Sequence, residues 1–153
     1  MRKTDTGKIK FHFLSGRFHF DNRTQLKTYL LKQLKKEGKA VEAINYIFCD
    51  DRYLLEMNQQ YLKHDTYTDI ITFELSPKGQ PLLSDIYISI ERVADNAKHY
   101  KTSFNTELHR VIFHGALHLA GYKDKNKEQA QIMREKEESY LRNYFVPRGT
   151  GKV

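Results

Sequence analysis

The sequence predicts one α+β domain: a small mixed four-stranded sheet with about five helices and a metal site at the end of a buried central helix. Three observations lead there. The first part of the 153 residues alternates strand-like and helix-like stretches, everything after residue 90 reads as helix, and one pair of strand-like stretches is joined by a short turn containing Pro and Gly. A chain of this length suits one core rather than two, and no internal repeat or linker divides it. Residues 1–146 are expected to form the domain, and 147–153 a loosely attached, flexible tail.

Taken in order, residues 8–14 alternate polar and apolar side chains, with Ile9, Phe11 and Phe13 on one side, as in a half-buried strand. Asp21 or Asn22 can cap a helix in which Leu26, Tyr29, Leu30 and Leu34 recur at helical spacing until Gly38 stops it. Its opposite face carries Lys27, Lys32, Lys35 and Lys36, read first as a solvated surface and only second as an RNA contact. Residues 43–49 are rich in β-branched and aromatic side chains and form the second strand, after which Asp50 and Asp51 can cap a helix over 52–62. Residues 69–75 and 85–90 give the third and fourth strands, antiparallel neighbours across the turn at 76–81. The strand–helix–strand connections before them favour parallel, right-handed crossovers. Helices follow over 91–100, from Ser103 or Asn105 to 120, and over 127–144.

Composition narrows the class. With 39% hydrophobic and 29% charged residues the chain can fold and is not a disordered segment. No apolar run approaches the roughly 20 residues that span a bilayer, and the first residues lack the apolar stretch of a signal peptide, so a soluble cytoplasmic protein is expected. The single Cys49 cannot close an internal disulfide and, beside Tyr46, Ile47 and Phe48, reads as a small buried hydrophobe. A net charge of +7 with pI near 9.4 favours an anionic partner, a signal that gains weight only beside a site.

The site lies in the helix over 106–120. Leu108, Val111, Ile112, Phe113, Ala116, Leu117, Leu119 and Ala120 cover most of its circumference, which marks a helix buried on nearly every side. His114 and His118 stand one turn apart on a single stripe, with Glu107 two turns earlier. Buried imidazoles need a hydrogen-bond partner or a metal, because an unpaired buried polar group costs about 1–3 kcal/mol. Gly121 can end the helix in a left-handed conformation and turn the chain so that Asp124 approaches the histidines.

Two histidines four apart are also common as a surface pair or as satisfied core residues; the added Gly and Asp point to a three-ligand site. Two nitrogens and one oxygen suit a borderline cation such as zinc, with a further position left for catalysis. The spacing matches metzincin peptidases, with Asp124 in place of their third His. Gly115, however, stands where those peptidases carry their general-base Glu, which puts the peptidase reading second.

The string His114-Gly-Ala-Leu-His-Leu-Ala-Gly-Tyr122 resembles the signature of the YbeY family of rRNA maturation factors. Residues 61–73, ending in Thr-Asp-Ile-Ile-Thr-Phe, and Ser84-Asp-Ile86 resemble two further family blocks in the same order, so the likeness spans most of residues 57–125. It implies a cytoplasmic, zinc-containing, single-strand-specific endoribonuclease that matures the 3′ end of 16S rRNA and takes part in ribosome quality control. Its partners would be the small-subunit rRNA precursor and ribosomal particles. His114 and His118 carry over as metal ligands, and Asp124 occupies the register of the family's third His; carboxylate is a competent ligand that leaves divalent ions besides zinc open. Lys123 replaces a family Asp, and Leu62 stands where the family has an Arg that would clamp phosphate; Lys63 or His64 can supply that charge from next door.

A metal at this site would polarise a phosphoryl oxygen or lower the pKa of a water, while the RNA 2′-hydroxyl is the other available nucleophile. Three classes stay open at this point: ribonuclease, metallohydrolase of another substrate including peptides, and a metal-braced assembly factor without catalysis. Three protein ligands rather than four favour an enzyme; His109 lies off the stripe and Cys49 far away, so neither is an evident fourth. Asp69 and Asp85 read as turn or cap residues before ligand-orienting ones, Glu107 as a candidate partner behind an imidazole, and Met133 as core packing.

Overall fold

The structure, a computed structural model, describes residues 6–14, 18, 20–63 and 67–146. The elements are β1 (Ile9–Phe13), α1 (Arg23–Lys36), β2 (Val41–Cys49), α2 (Asp51–Tyr61), β3 (Ile70–Glu74), β4 (Leu82–Ser89), α3 (Ile90–His99), α4 (Phe104–Leu119) and α5 (Lys127–Tyr144), with a 3₁₀ turn at Thr6–Lys8. The expected tail, residues 147–153, lies outside the described residues. No described helix is long and apolar enough to cross a membrane.

The sheet order is β1-β2-β4-β3. β1, β2 and β4 are parallel, and β3 runs antiparallel to β4 at the edge. The expected hairpin is present, turned by Gly79 at φ 86 with the Gln80 N–H donating to Pro77 O at 3.1 Å. One expectation fails. The crossover through α2 does not deliver a strand parallel to β2, because β4 inserts between β2 and β3 and leaves β3 reversed. β4 can hold the centre because Ile86 and Ile88 bury one face while Tyr87 packs on the other, whereas β3 is short and only partly buried. β4 also begins at Leu82, three residues earlier than alternation alone indicates, and Ile90 already opens α3.

Alternation sorts the sheet into two faces. Ile9, Ile44, Tyr46, Phe48, Ile86 and Ile88 meet α1, α4 and α5 in the main core, while Cys49, Ile71, Phe73 and Tyr87 pack with Leu54 and Met57 of α2 on the reverse. Cys49 is fully buried, and burial pushes its thiol up to about 12, which makes it the inert hydrophobe expected. The caps follow sequence chemistry at α2, where the Asp50 carboxylate accepts from Tyr53 N–H at 2.8 Å. At α1 they do not: Asn22 sits at the cap in a left-handed conformation, φ 59, without a side-chain bond. Asn tolerates that region better than most residues, so its backbone makes the turn instead.

α4 lies directly against the sheet. A Cβ on Gly115 would come 3.0 Å from Ile70 Cδ1 and 3.2 Å from two Ile86 carbons. The position after the first histidine therefore faces packed sheet, and any side chain there would press on Ile70 and Ile86. Gly115→Val is expected to lower stability by about 2 kcal/mol, the overpacking cost exceeding any gain in helix propensity. Urea unfolding checks this, and an unchanged midpoint would refute the close approach.

His109, on another side of α4, is 3% exposed, donates Nδ1–H to Asn105 O at 2.8 Å and stacks on Tyr144. Burial holds its pKa below the ordinary imidazole value despite that hydrogen bond. The unfolded chain therefore takes up this proton first as pH falls below about 6.5, so His109 contributes stability above that pH and loses it on acidification. His109→Phe is expected to lose less unfolding free energy between pH 7.5 and 5.5 than the wild type. Equal losses in the two proteins would show that His109 plays no part.

Candidate metal centre

Helix periodicity and one helix ending build the site. His114 and His118 lie one turn apart on α4, their rings 4.6 Å between centroids. α4 then closes in a Schellman motif: Gly121, φ 109, donates its N–H to His118 O and Tyr122 donates to Leu117 O, each at 3.0 Å. The chain reverses and meets the start of α5, where the Asn126 side chain accepts from Gln129 N–H and Gln129 Oε1 accepts from Lys125 N–H. Asp124 is held between these two devices. Its Oδ2 lies 3.4 Å from His114 Nε2 and 3.6 Å from His118 Nε2.

Both imidazoles are oriented from behind. His114 Nδ1 is 2.6 Å from Glu137 Oε2, and His118 Nδ1 is 3.0 Å from Tyr122 O. Each partner is an acceptor, so both Nδ1 atoms carry hydrogen, and the Nε2 atoms are the ring nitrogens that face Asp124. Ligands about 2.1 Å from a tetrahedral ion stand about 3.4 Å apart, and the two separations from Asp124 match, with all three ligand atoms within 4.8 Å of one another. The three side chains are the group of metal-ligating type that the described residues bring together, and they fit a divalent cation.

Behind His114 lies a buried ionic cluster. Glu137 and Glu107 are 6% and 3% exposed, and Arg110 reaches Glu138 at 2.7 Å, Glu107 at 3.3 Å and Glu137 at 3.6 Å. Burial would depress the His114 pKa, but the Glu137 hydrogen bond and charge, with Asp124 and Asp69 nearby, raise it above its ordinary value. A cation competes with that proton, so metal binding strengthens as pH rises.

Cavities flank the triad. One of about 500 Å³ lies between α3, α4 and α5, lined by Asp69, Glu107, Arg110, His114, Asp124 and Glu137 among others. A second of about 500 Å³ runs along β3, lined by Leu62, Tyr67, Asp69, His114, His118 and Asp124. Asp69 borders both. Its carboxylate accepts from Asn96 Nδ2 at 3.2 Å, its backbone oxygen accepts from Ser89 N–H, and burial raises its pKa against the pull of His114. Asp85 instead accepts from Asn45 Nδ2 of the adjacent strand at 3.1 Å.

Glu137 is the site residue that sequence reading missed. It lies in the charged run Arg134-Glu135-Lys136-Glu137-Glu138, which reads as solvated surface. The available signal was its register, four residues after Met133 and four before Leu141 on the buried stripe of α5. Glu107, expected as a partner behind an imidazole, pairs with Arg110 instead. Met133 is core, as expected. Lys63 is exposed, at φ 60, directly after the helix-ending Leu62; His64 lies outside the described residues.

The model of the family described as Endoribonuclease YbeY matches residues 16–145. This chain belongs to the YbeY endoribonuclease family. Proteins named Endoribonuclease YbeY are similar to it over nearly their full length: that of Flavobacterium psychrophilum is 48% identical across 84% of this chain and 91% of its own. That of Christiangramia forsetii is 42% identical across 93% and 98%. The solution structure of TM1509 from Thermotoga maritima aligns with a TM-score of 0.62 at 30% identity, covering 90% of this chain and 89% of that one. The YbeY resemblance of the sequence blocks is thereby borne out, as is the α+β fold. The peptidase and non-catalytic readings are not favoured, and Gly115, wedged against Ile70 and Ile86, gives the first of these a structural obstacle.

Proposed function

We propose that this chain is a metal-dependent endoribonuclease that cuts single-stranded RNA, with the metal held by His114 Nε2, His118 Nε2 and an Asp124 carboxylate oxygen. The observation that carries this reading is the convergence of those three atoms, with both Nδ1 positions already committed to acceptors. Zinc is the ion we assign, since two imidazoles and one carboxylate are an ordinary ligand set for it. When bound, the ion supplies Lewis acidity toward a phosphoryl oxygen and makes a nucleophile available near neutral pH.

The chain's own residues do the rest. Glu137 and the Tyr122 carbonyl hold the two imidazole rings, and the cavity along β3 leaves one side of the triad open to a phosphodiester. Lys63 and His64 are proposed phosphate contacts at the α2 end, in place of the Arg that Leu62 replaces. The cellular substrate we assign is the small-subunit rRNA precursor, at the 3′ end of 16S rRNA, on ribosomal particles in the cytoplasm, within ribosome quality control. Family membership supports this assignment.

Chelation tests the metal requirement. Dialysis against a strong chelator is expected to abolish cleavage of a single-stranded oligoribonucleotide, and stoichiometric zinc to restore it. Cleavage by verified metal-free protein would end the proposal. Analysis of the product ends identifies the nucleophile, a 2′,3′-cyclic phosphate marking attack by the 2′-hydroxyl.

A further inference from the structure

A third cavity, of about 700 Å³, opens on the other side of His118 and Asp124, where three turns converge. They are the α1–β2 turn with Gly38 and Lys39, the β3–β4 turn with Lys78 and Gly79, and the α4–α5 loop with Gly121, Lys123 and Lys125. Each turn contains a glycine at positive φ, 82, 86 and 109 respectively, and a Cβ on any of the three would meet nothing within 4 Å. These glycines serve the turns, and the turns present the lysines.

The charge balance is one-sided. Lys39, Lys78, Lys123 and Lys125 are exposed and form no ion pair among the described residues, while the carboxylates lining the cavity are Glu74 and Asp124. The cavity across the triad, behind His114, has the reverse balance, with Asp69, Glu107, Asp124 and Glu137 outweighing Arg110 and Arg134 in its lining. The basic surface also continues outward, because Gly38, Lys39 and Ala40 line a neighbouring cavity together with Lys8 and Lys35. A polyanion crossing the triad would therefore be drawn more strongly along the lysine side than along the carboxylate-rich one.

We propose that the cleft walled by Lys39, Lys78, Lys123 and Lys125 is the track that carries one arm of a single-stranded RNA away from the metal centre. The strand passes the triad, lies over the three turns, and continues toward Lys35 and Lys8. The inference rests on the ribonuclease reading and adds to it the direction and the phosphate-binding residues. Ammonium groups on turns bind a flexible phosphate backbone without reading its bases, which gives sequence-tolerant, salt-dependent binding.

The test measures binding of a labelled 2′-O-methyl oligouridine of roughly 12 nucleotides, which cannot be cut through its 2′-oxygen, with chelator present, across a range of salt concentrations. Lys39→Ala/Lys78→Ala/Lys123→Ala/Lys125→Ala is compared with wild type and with a charge-matched control, Lys10→Ala/Lys32→Ala/Lys98→Ala/Arg142→Ala. The control positions are exposed and line none of the cavities above. Each lost phosphate contact lowers the slope of log affinity against log salt by about 0.7, so the cleft variant is expected to lose roughly 2–3 from the slope and at least about tenfold in affinity at low salt. The control should keep the wild-type slope, and thermal melts of all three should coincide.

Wild-type binding in the cleft variant, or equal losses in cleft and control variants, would overturn the track while leaving the enzyme assignment standing. Wild-type protein that, loaded with zinc, neither binds nor cuts any single-stranded RNA would overturn the ribonuclease reading itself, and the track with it.

Discussion

Asp124→Ala and His118→Ala are each expected to lose tightly bound metal and at least about 100-fold of single-strand cleavage together, while remaining folded. Two ligands left on the protein hold an ion far less firmly than three, and neither side chain belongs to the core. His118 and Asp124 side chains are 28% and 40% exposed, so unfolding measured with chelator should shift by no more than about 1 kcal/mol. Metal analysis of the purified variants beside an RNA cleavage assay is sufficient. If Asp124→Ala retained one equivalent of metal and its activity, the third ligand would have to come from elsewhere, and the Schellman turn at Gly121 would serve the fold alone.

Glu137→Ala is expected to have the second largest effect, through an atom that never touches the metal. Glu137 Oε2 sits 2.6 Å from His114 Nδ1; it holds the ring and, with the proposed metal bound, would raise its basicity as a ligand. Its removal is expected to weaken metal affinity roughly 10–100-fold, read by competition with a chromophoric chelator. Glu137→Gln keeps an acceptor oxygen at the same place and should recover part of that loss. At saturating metal, cleavage by either variant should return most of the way to wild type, which separates ring positioning from a direct chemical role. Wild-type metal affinity in Glu137→Ala would sink the assignment. The alanine variant should also be less stable by about 1–3 kcal/mol, since Arg110 keeps Glu138 and Glu107 but His114 loses its buried acceptor.

Several features were legible from local sequence because their causes are local. An α4 apolar on nearly every side, with two histidines on one stripe and Gly121 at its end, specifies a buried helix that stops in a left-handed turn, and the hydrogen bonds of that turn are those found. Asp50 before α2 and the Pro- and Gly-containing connection before β4 are equally local, and both behave as their side chains dictate. Asn22 marks the boundary of such reasoning. It stands at the expected helix start, but by backbone conformation rather than by its side chain, a choice made by how the chain enters α1.

By itself, then, the sequence determined the elements, the one-turn spacing of His114 and His118, the return of the chain toward Asp124, and the likeness to a ribonuclease family. Tertiary structure alone decided three things: that β4 rather than β3 lies beside β2, that Gly115 is pressed against Ile70 and Ile86, and that Glu137 stands behind His114. The reason is common to all three. Helical period, capping and turn chemistry act over a few residues, whereas strand order, close packing and a buried carboxylate's partner depend on which distant faces meet. A Glu in a charged run becomes a site residue only when α5 packs on α4 and removes it from water.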